Sequence, residues 1–92
     1  MIVSFQSKAL KLYLQKGDSS KLQPHHVRRI RILLTALNIA KTPEQMNLPG
    51  FRFHSLQPPG SNRYAVWLNG NYRITFRFEG EDAYDVDYVD YH

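Results

Sequence analysis

The chain has 92 residues, no cysteine, 12 basic and 8 acidic residues, and a net charge of +4. Its length suits one domain spanning residues 1–92. The missing thiols exclude a disulfide framework and a thiolate metal site, and 42% hydrophobic with 22% charged residues excludes a disordered chain.

In chain order, Ile2-Val3 reads as a short edge strand. From Phe5 the pattern turns helical, with Phe5, Ala9, Leu12 and Tyr13 at helix spacing. Gly17-Asp18-Ser19-Ser20 ends that helix. Pro24 opens a second helix that runs to Ile39. Val27, Ile30, Leu33, Leu34 and Leu37 form its main apolar stripe. Ile32, Ala36 and Ile39 form a second stripe, assigned to the first helix in a hairpin. Thr42-Pro43-Glu44-Gln45 fits a capping box for a short third helix, closed by Pro49-Gly50.

From Phe51 the period changes to two, and Pro58 to Asn62 is a loop. Tyr64–Leu68 is a strand, and Asn69-Gly70 is the strongest hairpin signal in the chain. Tyr72, Ile74, Phe76 and Phe78 then alternate with Arg73, Thr75 and Arg77. In the last strand Tyr84, Val86 and Tyr88 alternate with Asp85, Asp87 and Val89. Helices followed by an antiparallel meander give an α+β domain, with the helices on one face of the sheet. The other face is left as a concave binding surface.

Charge is unevenly spread. Residues 1–77 hold all 12 basic residues with only Asp18 and Glu44, a net of +10, while residues 78–92 hold six carboxylates and no base. A basic body of this kind fits a polyanion partner. No apolar run approaches the roughly 20 residues of a membrane span. Gln6, Lys8 and Lys11 break up any signal-peptide core. A soluble, cytoplasmic protein with no membrane partner is expected.

Among the groups able to do chemistry, His25 and His26 diverge at a helix start and read as solvated. His54 sits mid-strand beside Arg52, and His92 ends the chain. An imidazole titrates near neutral pH and suits proton transfer. Arg73 on a rigid strand is a natural phosphate clamp, or else the cross-strand partner of Asp85 or Asp87. Asp85 and Asp87 read as an arginine-paired face rather than a metal site. No phosphate-loop, dinucleotide or zinc motif is present, so neither metal nor cofactor is expected. Histidine, aspartate, tyrosine and arginine around one sheet face can cleave RNA by attack of the 2′-hydroxyl on the adjacent phosphate.

Four stretches carry a family resemblance: Met1 to Phe5, Asn47 to His54, Asn69 to Phe78, and Asp82 to Tyr88 with the terminal Asp90-Tyr91-His92. Through them the chain resembles, essentially end to end, the HigB-type toxins (plasmid-maintenance killer proteins) of the RelE/ParE superfamily. The resemblance implies a RelE-like fold and a type II toxin–antitoxin pair. It implies a toxin that enters the A site of the 70S ribosome and cleaves translated mRNA without metal. Its partner would be a HigA-like helix-turn-helix antitoxin, through which it would reach operator DNA. The family's catalytic positions match His54, Arg73, Asp90, Tyr91 and His92. By the resemblance His92 and Asp90 transfer protons with help from His54, Arg73 holds the phosphate, and Tyr91 stacks a nucleotide. Arg52, Gln57, Arg63 and Arg77 complete the expected substrate-binding set. Relatives often carry Lys at the position of Gln57 and Trp at that of Tyr72. A non-catalytic, ParE-like inhibitor and a regulator that binds nucleic acid with its antitoxin are the alternative readings.

Overall fold

The computed structural model describes residues 1–91. Two helices, α1 (Lys8–Lys16) and α2 (Val27–Ile39), precede four strands. These are β1 (His54–Ser55), β2 (Arg63–Asn69), β3 (Tyr72–Glu79) and β4 (Asp82–Asp90). The strands form one antiparallel sheet in the order β1-β2-β3-β4. This is the α+β meander expected from the change of period at Phe51.

Each helix has a local cause. Ser7 caps α1 by accepting a hydrogen bond from the Leu10 amide at 3.2 Å. Gly17 ends it in the left-handed region, φ +70°, with its N–H on the Tyr13 carbonyl at 2.8 Å. Pro24 opens a 3₁₀ turn, Pro24–His26, that runs directly into α2. Leu10 of α1 and Ile30, Leu33, Leu34 and Leu37 of α2 are buried together with Val66, Leu68, Ile74, Phe76 and Val86 of the sheet. Both helices therefore lie on the same face of the sheet. Among the described residues no helix is long and apolar enough to cross a membrane.

Four sequence expectations are corrected. Phe5 is not helical. It bridges in parallel to Val86, as Ile2 does to Ala83, so residues 2–5 line the free edge of β4. The third helix is only a 3₁₀ turn, Pro43–Met46, without a side-chain cap from Thr42. Gln45 instead accepts from the Lys41 amide at 2.6 Å, one residue before the expected partner. The second stripe of α2 is not covered by α1, since Ile32 and Ile39 are 42% and 72% exposed. Tyr84 does not share a face with Val86. Asp85 adopts φ +55° and forms a bulge opposite Phe76, where the register shifts between Thr75 and Arg77. That extra residue turns Tyr84 onto the same face as Arg77.

Candidate active face

The helix-free face of the sheet is set by strand register. Arg63, Ala65 and Trp67 of β2 pair with Arg77, Thr75 and Arg73 of β3, and these pair with Tyr84, Asp87 and Val89 of β4. Cross-strand partners share a face. Ala65 and Thr75 are buried although no helix covers them. Both are small, and along each strand they are flanked by Arg63 and Trp67 or by Arg73 and Arg77. The result is a trough with a small-residue floor and arginine and tryptophan walls.

Arg73 stands on the wall near the strand ends. Its guanidinium lies 5.5 Å from the centre of the Tyr91 ring. Its Nη1 is buried without a hydrogen-bond partner among the described residues. The carboxylates expected to pair with it go elsewhere, because its cross-strand neighbour is Val89. Asp85 pairs with Arg77 at 3.3 Å, and Asp87 accepts from the Tyr88 amide at 2.9 Å. Arg77 also holds Glu79 at 2.6 Å and lies over the Tyr84 ring at 4.9 Å. Its charge is thereby offset beside the like-charged Arg63 across the strand pair. Tyr91 is held by its backbone, whose N–H donates to the Asn71 carbonyl at 2.8 Å. Its ring is 42% exposed.

His54 lies on the same face, opposite Ala65. Two strand spacings separate β1 from β3, roughly 10 Å, which is the width of a nucleotide rather than of a contact. The His54 Nδ1 is bonded to the Arg52 carbonyl at 2.9 Å, so Nε2 is the nitrogen left for other partners. Arg52, exposed and at φ +49°, lies over the Trp67 ring at 4.4 Å. Arg63 and Gln57 are exposed at the near end of β2 and in the loop before it. Asp90 departs from the one-face arrangement read from the sequence. Its cross-strand partner is Tyr72, which places it on the helix side at the very end of β4. Arg73, Tyr91 and His54 therefore share the trough, and Asp90 sits around the strand end from them. His92 lies outside the described residues.

Residues 3–92 match the family described as RelE-like toxin of type II toxin-antitoxin system HigB. The chain belongs to the HigB-like toxin family. It is 36% identical over 92 residues to Endoribonuclease HigB of Proteus vulgaris, with 100% of each chain covered. A type II toxin is one half of a pair, so this HigB-like toxin has an antitoxin partner.

The toxin holds one chemical feature that the sequence reading missed. His26 is fully buried, not solvated. Its Nδ1 lies 2.5 Å from the Tyr88 hydroxyl, and its ring packs 4.5 Å from that of Tyr72. Its Nε2 has no partner among the described residues. The signal was present in the sequence. His26 precedes Ile30, Leu33 and Leu37 by four, seven and eleven residues, so it continues the main stripe of α2 back through the 3₁₀ turn. Beside it an open cleft of about 300 Å³ is lined by His25, His26, Tyr72, Asp90 and the Asn69-Gly70-Asn71 turn.

Burial holds the His26 imidazole below its ordinary range, and the adjacent His25 adds to this. In the unfolded chain the ring takes a proton near pH ~6.5, whereas the folded protein resists protonation. The unfolded state then binds more protons, so stability is lost as pH falls below that value. Urea midpoints should be lower at pH 5.5 than at pH 7.5, and His26→Phe should flatten the difference. Equal pH dependence in both proteins would contradict this account.

Proposed function

We propose that this toxin is an endoribonuclease that cuts translated mRNA in the A site of the ribosome, and that its partner is a HigA-like helix-turn-helix antitoxin. One observation carries the reading: in a HigB-like fold, Arg73 keeps an unpartnered guanidinium nitrogen beside the exposed Tyr91 ring. A buried donor without a partner is costly in the free protein and favours an incoming anion. A phosphate diester held there would place one neighbouring base on Tyr91 and the other end of the nucleotide toward His54. The Endoribonuclease HigB relative of Proteus vulgaris agrees with RNA as the substrate.

In this reading a base removes the proton of the 2′-hydroxyl, and the 2′-oxygen attacks the adjacent phosphorus. The bond to the 5′-oxygen breaks, and an acid gives that oxygen a proton. The products are a 2′,3′-cyclic phosphate and a free 5′-hydroxyl. Arg73 neutralises the added charge on the phosphorane. Asp90 and His92 transfer the two protons, and His54 assists from β1. Arg52, Gln57 and Arg63 line the path of the strand. Arg77, already paired with two carboxylates, braces the trough.

Primer extension on a reporter mRNA tests this, with purified toxin, with and without programmed ribosomes, and with EDTA present. The expected result is cleavage only on ribosomes, within the codon in the A site. Cleavage of naked RNA would remove the ribosome from the account. No cleavage in either case would remove the endoribonuclease reading.

A further inference from the structure

His26 is the one fully buried ionisable side chain among the described residues, and the reaction above does not use it. It joins three elements that converge on the end of the sheet. Its Nδ1 is bonded to Tyr88 of β4, and its ring rests on Tyr72 of β3. Three residues earlier, the Gln23 side-chain amide donates to the Tyr72 hydroxyl at 2.5 Å. Tyr72 and Tyr88 face each other at 5.4 Å. Tyr72 is the cross-strand partner of Asp90, and Tyr91 follows directly. The Gln23–His26 segment thus grips the end of β4, at Tyr88 and Asp90, through a pair of tyrosines.

We propose that His26 is a positioning residue for RNA cleavage: through Tyr88 and Tyr72 it fixes the end of β4 that presents Asp90 and Tyr91. The proposal rests on the endoribonuclease reading for its role, and on contacts independent of that reading for its geometry. In the neutral tautomer that carries its proton on Nε2, Nδ1 accepts from the Tyr88 O–H. An imidazolium has no acceptor nitrogen, so protonation forces the Tyr88 hydroxyl to turn and ends this bond as it stands. Burial also keeps the Tyr88 phenol protonated, by raising its pKa. The titratable groups that face His26 are His25 on its own turn, Tyr72 and Tyr88 from β3 and β4, and Asp90 across the cleft. The bonded pair thus holds its polarity near neutral pH and loses it in acid.

The test uses the full chain and the ribosome assay, with His26→Phe, His26→Asn and Tyr88→Phe, each assayed well below its unfolding midpoint. Phenylalanine keeps ring volume at position 26 and removes the bond; asparagine returns an acceptor near the Nδ1 position. His26→Phe and Tyr88→Phe should each lower kcat about ten- to a hundredfold, the scale of a small misplacement, with KM nearly unchanged. The double variant should be no worse than either single, and His26→Asn should recover part of the loss. Wild-type kcat in folded Tyr88→Phe would overturn the proposal even if His26→Phe fails to fold. Amide spectra separate this from failure of the functional reading. If the unaltered toxin cuts no RNA, shifts at Asp90 and Tyr91 in Tyr88→Phe still support the positioning. Shifts confined to residues 23–27 and 88 overturn it.

Discussion

Arg73→Ala is expected to lower kcat for mRNA cleavage by about 10²–10³-fold, the usual cost of removing one donor aimed at developing charge. Folding should be barely affected. The Arg73 Nη1 makes no hydrogen bond among the described residues, Glu79 and Asp85 belong to Arg77, and Asp87 accepts from the Tyr88 amide. Removing the side chain therefore breaks no ion pair and takes away a buried donor that had no partner among the described residues. Arg73→Lys should restore only part of the rate, because an ammonium cannot present the planar fork of a guanidinium to a phosphate. The measurement is single-turnover cleavage on programmed ribosomes, alongside a urea melt. A rate within threefold of the unaltered toxin would mean that another group carries the phosphate.

Phe76→Ala should cost about 3–5 kcal/mol, as large aromatic truncations in a core do. Phe76 is the largest fully buried side chain, at the centre of β3. It packs between Tyr64 and Phe78, with ring centres 5.9 Å from each. Domains of this kind are stable by only ~5–15 kcal/mol in total, so this single change removes a large share. Equilibrium unfolding in urea should show a much lower midpoint with an unchanged slope. A cost under 1 kcal/mol would mean that the sheet and helices close over the gap.

Much of the architecture follows from short-range signals. Gly17 and Pro24 mark helix ends by backbone conformation alone. The turn at Asn69-Gly70 and the alternation from Tyr72 to Phe78 set the central hairpin. Two of the misses share a physical origin, dependence on a partner distant in sequence. Phe5 has a helix-compatible spacing, yet it pairs with Val86 across the whole chain. The bulge at Asp85 is invisible to a count of alternating residues, and it decides which way Tyr84 points. The adjacent His25 makes His26 resemble half of a solvated pair, although its spacing places it on the α2 stripe. For the site, the resemblance supplied the residues, but not which arginine had its charge already matched. That distinction between Arg73 and Arg77 needs strand register.

The parallel bridges from Ile2 and Phe5 to β4 have a temporal side. During synthesis the first residues leave the ribosome long before their partners exist. A nascent chain complete only through β3 can assemble its central hairpin, but its opening segment has no strand to bridge to and keeps only its contact with Asn38 of α2. The sheet edge closes once Ala83 and Val86 have emerged, on the same strand that delivers Asp90 and Tyr91. Chains that stall or are clipped before β4 therefore lack both the closed edge and the groups proposed for chemistry, so a truncated product is expected to be inert for two reasons at once.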